Sequence, residues 1–142
     1  YIMKIAVVYW SGTGTTEAMA QLVAEGISGA GGEAVCLTPS DFDPGQLDSY
    51  DAIAFGCPSM GTEQLEETEF EPMFQQCEPG LSGRRIALFG SYGWGDGQWM
   101  RDWADTCRAD GAQLVCEPVI CCEAPDEDAA EACKALGAAL VG

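Results

Sequence analysis

Lys4-Ile5-Ala6-Val7-Val8-Tyr9-Trp10-Ser11-Gly12-Thr13-Gly14-Thr15-Thr16-Glu17 changes character once, between Tyr9 and Thr15. Its first six residues make an apolar run, short and rich in β-branched types, as a strand covered on both faces requires. Beyond the turn, Met19, Leu22, Val23 and Ile27 recur at helical spacing and define one apolar stripe. Between strand and helix the chain is almost entirely Ser, Gly and Thr. Glycines let the backbone curl with its amides inward, hydroxyls add donors, and the helix N-terminus adds positive potential. That combination suits a phosphate. No Lys follows the glycines, so this is not a Walker A loop, and Glu17 stands where a dinucleotide fingerprint has its third glycine. Such a turn can equally be a plain helix cap, so the rest of the chain has to decide.

Outward from this stretch the same alternation repeats. Strand-like runs cover Ala34 to Leu37, Ala52 to Cys57, Arg85 to Ser91 and Leu114 to Cys121. Helical stripes are carried by Phe70, Met73, Phe74 and Cys77, by Trp99, Met100, Trp103 and Cys107, and by Ala129, Ala130, Cys133, Leu136 and Leu140. Pro72 suits a first helical turn, Asp126-Glu127-Asp128 a helix N-terminus, and Gly80 and Gly111 helix ends. Strand-helix alternation of this kind predicts an α/β fold, a doubly wound parallel sheet with helices on both faces. Ligands of such sheets sit beyond the carboxyl ends of the strands, where the strand order reverses.

Composition narrows the function. The 142 residues fill one domain, 1–142, and 47% apolar content is that of a folded chain. No apolar run approaches the ~20 residues of a bilayer span. Nothing like a signal-peptide core precedes Lys4, so a cytoplasmic location is expected. Twenty-three acidic and six basic residues give a formal charge of −17, which repels nucleic acid and anionic membranes and attracts a basic partner. The eight cysteines contain no C-x-x-C pair, and no histidine exists to complete a mixed zinc site, so reduced core cysteines are expected and no metal. Without histidine, Ser-His and Cys-His hydrolases are excluded.

Two further loops follow predicted strands. Gly56-Cys57-Pro58-Ser59-Met60-Gly61-Thr62-Glu63 surrounds a methionine with turn formers, and Gly90-Ser91-Tyr92-Gly93-Trp94-Gly95-Asp96-Gly97 places aromatics between glycines. Large apolar side chains in turns lose hydration free energy unless something covers them. A flat aromatic ligand between Met60 and Trp94 would cover both.

These three loops resemble the short-chain flavodoxins, and the resemblance runs from Lys4 to the final helix. The segment from Phe89 through Asp96 to Trp99-Met100 is its most specific signature. The resemblance implies a five-stranded sheet in order 2-1-3-4-5, uninterrupted between Leu114 and Ile120, with FMN at its edge. It implies phosphate hydroxyls at Ser11, Thr13, Thr16 and Ser91, with Gly12, Gly14 and Thr15 completing the cofactor-binding turn. The flavin ring would lie among Pro58, Ser59, Met60, Gly61, Thr62, Tyr92, Gly93, Trp94, Gly95 and Asp96, with Glu63 accepting the N3 proton. Gly61 would let the peptide after Met60 turn over with redox state. Two positions differ from common family patterns: Thr15 stands for Asn, and Pro58 for the Ser of a related branch.

The implied function is a low-potential one-electron carrier, not an enzyme, shuttling electrons between redox proteins such as reductases with basic docking faces. No catalytic side chain is needed, and a monomer is expected. Glu63, Glu66, Glu67 and Asp96 would disfavour an anionic reduced flavin by like-charge repulsion. An FMN-dependent quinone or NAD(P)H reductase of the same fold is the alternative. A phospho-receiver would need acids after the first strand, where Trp10-Ser11-Gly12 stand instead.

Overall fold

A computed structural model describes residues 2–12, 14–60 and 64–142. In chain order its elements are β1 (Lys4–Tyr9), α1 (Thr15–Gly29), β2 (Glu33–Leu37), β3 (Ala52–Gly56), α2 (Phe70–Cys77), β4 (Arg85–Tyr92), α3 (Gln98–Ala109), β5 (Gln113–Leu114), β6 (Val119–Cys122) and α4 (Glu127–Val141). All described strand pairings are parallel and the order is β2-β1-β3-β4-β5, with β6 also on β4. The doubly wound sheet in order 2-1-3-4-5 is therefore present, with one difference.

That difference lies at the edge. The predicted fifth strand, Leu114 to Cys121, is two short strands. Ile86 pairs with Leu114 but Phe89 pairs with Val119, so three steps along β4 correspond to five along the edge. Pro118 explains the break, since it has no N–H to give the ladder.

Side chains alternate across the sheet with the strand period of two. Ala6, Val8, Ile53, Phe55, Ile86 and Leu88 face one core with α2 and α3, while Ile5, Val7, Ala52, Ala54, Ala87 and Phe89 face the other with α1 and α4. The first core is aromatic, with Phe70 and Phe74 edge-on to Trp103 at centroid distances of 5.4 and 5.6 Å. Five of the eight cysteines are buried, and all eight are free thiols. Burial pushes the thiols of Cys57, Cys107 and Cys133 up to about 12, which leaves them inert small hydrophobes.

The second core depends on two glycines. A Cβ at Gly26 of α1 would lie 2.0 Å from the Lys134 carbonyl oxygen of α4, and one at Gly137 of α4 would lie 2.1 Å from the Val23 carbonyl oxygen of α1. The two backbones therefore touch, and both glycines are required by close approach. At Gly29, in the same helix, a Cβ would meet nothing within 4 Å. Gly26→Ala is expected to destabilise by about 1–3 kcal/mol although alanine is the better helix former, because overpacking outweighs propensity. Gly29→Ala should be neutral or stabilise by up to ~1 kcal/mol. Urea unfolding of the two variants separates packing from propensity, and equal effects would discount the backbone contact.

Candidate functional site

The carboxyl ends of β1, β3 and β4 are drawn together by backbone bonds that prolong the ladders. The amide of Trp10 donates to the Gly56 carbonyl at 3.0 Å, that of Cys57 to Phe89 at 3.1 Å, and that of Ser59 to Ser91 at 2.9 Å. Gly90 is needed here, since a Cβ would meet the Cys57 carbonyl oxygen at 2.2 Å. A cavity of about 460 Å³ opens beyond these ends.

One end of the cavity is polar. Gly12, Thr15, Thr16 and Ser91 line it. Thr16 and Ser91 are both buried, and their hydroxyls stand 3.0 Å apart. A bonded hydroxyl pair uses one of its two protons internally, so the other is left for an acceptor in the cavity. Ser11 turns its oxygen into the loop, accepting from the Gly14 amide at 3.1 Å and the Glu17 amide at 3.2 Å. Ser11 thus caps α1 with its oxygen as acceptor, and a hydroxyl in that role can still donate its own proton. Gly14 is the residue before the first helical turn, with φ +96°, a conformation in which a side chain would be strained.

The rest of the lining is more apolar. Pro58, Ser59, Met60, Tyr92 and Gly93 belong to it. Met60 is 37% exposed, and Trp94 stands outside the lining at 59% exposure. Met60 and Gln64 exchange backbone bonds of 2.8 and 2.9 Å. Thr13, Gly61, Thr62 and Glu63 lie outside the described residues. Gly95 and Asp96 do not line the cavity, and the Asp96 carboxylate pairs with Arg101 at 3.0 Å at the start of α3.

No Lys or Arg lines this cavity. Its volume falls in the ~300–1,000 Å³ range of small-molecule sites. A polar end made of hydroxyls and helix amides, joined to an apolar slot, fits the phosphate and ring of FMN.

Three lining residues escape sequence reading as site residues: Trp10, Glu123 and Ala124. Trp10 had a signal in its place, an aromatic at the strand end beside the phosphate turn. Its indole donates to Glu69 at 3.0 Å, and its ring covers Gly12, where a Cβ would meet it at 2.9 Å. Glu123 had none. It is the one non-glycine residue with positive φ, +65°, among the described residues, and its amide donates to the Tyr92 carbonyl at 2.8 Å.

Glu66 is not one of a set of surface acids, as the sequence suggested. It is buried, and its carboxylate accepts from the amides of Thr68 at 2.9 Å, Glu69 at 2.8 Å and Phe70 at 2.8 Å, and from the Thr68 hydroxyl. It caps α2 from four residues ahead. Burial alone would raise its pKa, but these donors hold it below the ordinary carboxylate value.

A family model described as Flavodoxin matches residues 7–137. The flavodoxin of Clostridium beijerinckii is 47% identical over 125 residues, covering 88% of this chain and 89% of that one. The flavodoxin of Megasphaera elsdenii is 41% identical over 135 residues, covering 95% and 96%. The solution structure of the two-electron reduced Megasphaera elsdenii protein matches with a TM-score of 0.89 over 96% of this chain and 98% of that one.

Because its folded pKa is lowered, Glu66 contributes stability that is present above the unfolded carboxylate pKa and is lost as pH falls through the folded one. Glu66→Ala should cost about 2–4 kcal/mol, since it strands buried amides. Glu66→Gln should cost about 1.5–3 kcal/mol near neutral pH and lose less stability than the parent on acidification. Chemical unfolding at several pH values checks both, and a Gln variant with the parent's acid limb would show that the carboxylate charge is not used.

Proposed function

Since the chain belongs to the flavodoxin family, FMN-binding electron carriers rather than enzymes, we propose that its FMN phosphate lies between the α1 N-terminus and the Thr16–Ser91 hydroxyl pair. The observation that carries this placement is the pair itself: two buried hydroxyls, from a helix and a strand 75 residues apart in sequence, in the wall of a cavity lined by no cation. FMN, when bound, supplies the redox chemistry. The protein's residues bind, orient and shield it.

The amides of the first turn of α1 have no acceptor within the helix. Thr15 and Thr16, which open that turn, line the cavity together with Ser91, and Ser11 and Thr13 would add donors from the residues before it. Neutral dipoles can hold a dianion here because the helix N-terminus concentrates their potential. Met60 and Trp94 would sandwich the ring, which accounts for their exposure without it. Pro58, Ser59, Gly61, Thr62, Tyr92, Gly93, Gly95 and Asp96 would frame its edge, and Glu63 would accept its N3 proton. Trp10 and Glu123 extend the lining beyond the residues legible in the sequence. Residues 1–142 work as one domain.

The carrier would serve redox proteins with basic docking faces, as a cytoplasmic monomer that engages neither nucleic acid nor membrane. The charge of −17 supports attraction to a basic partner. No helix among the described residues is long and apolar enough to cross a membrane. The alternative of an FMN-dependent quinone or NAD(P)H reductase is not favoured, as the close relatives are flavodoxins.

Thr16→Ala combined with Ser91→Ala should weaken FMN about 30-fold or more while riboflavin, which lacks the phosphate, changes little. Flavin fluorescence quenching measures both constants, and equal losses would move the phosphate elsewhere. Electron transfer to a basic reductase should slow as salt rises from low to physiological concentration. Stopped-flow rates that ignore salt would leave the acidity as a solubility feature.

A further inference from the structure

Away from the cavity, the ends of α2 and α3 bring two carboxyl groups together. Glu78 closes α2 and starts a short 3-10 turn through Gly80, and Asp110 is the C-cap of α3. The aromatic contacts of Trp103 with Phe70 and Phe74 fix the two helices against each other. The Gly83 amide donates to the Gly111 carbonyl at 2.9 Å and joins the segments that follow them. Glu78 and Asp110, both half-buried, are thereby held within hydrogen-bond reach. Asp110 Oδ2 is buried and receives no donor among the described residues. Two carboxylates cannot bond to each other, since both only accept.

The surroundings offer no cation to neutralise them. From α2, Glu71 adds a further negative charge. From α3, the Cys107 thiol, pushed up to about 12 by burial, is neutral, and Arg108 reaches Asp105 at 3.5 Å. Beyond the 3-10 turn, Arg84 is spent on the Gly80 and Leu47 carbonyls and on Asp48. Asp43, another acid near the end of α2, acts on the Cys77 thiol.

We infer that Glu78 and Asp110 share one proton in the folded protein, as a carboxylic acid–carboxylate bond that ties the end of α2 to the end of α3 and is released when that proton is lost. A proton on Glu78 supplies the donor that a bond between these two carboxyl groups requires. Burial first, then the bond to Asp110 and the charges of Asp110 and Glu71, push Glu78 up from 4.5 to about 7. The folded chain therefore keeps a proton that the unfolded chain releases. The pair's contribution to stability is full below the unfolded pKa and is lost as pH rises through 7. The chain contains no histidine, so no side chain with an ordinary pKa near neutrality competes with this signal.

The test uses the FMN-loaded protein. The phosphate of FMN titrates in the same window, so the parent is compared with E78Q, whose amide still donates to Asp110 but does not titrate. From about pH 5.5 to about 8.5 the parent's folding equilibrium should weaken by about 30-fold more than that of E78Q. Carbon-13 NMR of the parent should show the Glu78 carboxyl titrating near 7. A Glu78 carboxyl titrating at its ordinary value, or parent and E78Q losing stability in parallel, would overturn the shared proton.

Discussion

β1 is hydrogen-bonded along both edges, to β2 on one side and β3 on the other, and the site exists because of that constraint. From β1 the chain runs outward to β2 through α1 on one face, and from its neighbour β3 it runs outward to β4 through α2 on the other, so the chain diverges at the carboxyl ends of β1 and β3 and leaves a crevice there. The turn after Tyr9 has to start in this crevice and enter α1 within a few residues. Everything that binds in the crevice is then met by the amides of one helix N-terminus.

Holding a phosphate in a protein of charge −17 without a lining cation is a problem of dipoles. A lysine or arginine would add affinity, but it would also add a positive charge beside the flavin and stabilise its anionic reduced form. In the proposed placement, hydroxyls and helix amides would bind the phosphate at one end and leave the electrostatics of the ring end to the acids around it. Of those acids, Glu66 is withdrawn into the α2 cap and Asp96 is paired with Arg101. The cap matters for the site as well as for stability. It fixes the start of α2 and hence the far end of the loop that begins at Cys57, whose sulfur accepts from the Glu66 amide at 3.3 Å.

The two faces of the sheet solve packing differently. Alanines on β3 and β4, with glycines at the helix crossing, bring α1 and α4 close together and hold α1 in line with the end of β1. On the opposite face, phenylalanines and tryptophans fill the layer between the sheet and α2 and α3, and polar groups such as Glu78 and Asp110 meet at the ends of those helices.

The order of strands and helices, the stripe of each helix and the chemistry of the three loops were legible from residue order alone, because hydrophobic period and turn chemistry are local properties. Lys4 to Tyr9 read as a strand covered on both faces and is one; Asp126 read as a helix start and caps Ala129 at 2.8 Å. Tertiary structure decided what depends on contacts between distant residues. The edge strand broke at Pro118, which has no N–H to give the ladder, and the edge carries two more residues than β4 over the same span. Glu66 became a buried cap because the chain folds back on itself ahead of α2, which no spacing reveals. Thr16 met Ser91, and Glu123 reached the cavity, because the sheet aligned the ends of strands far apart in sequence. Local order specifies which elements form, and only their packing determines which side chains face one another.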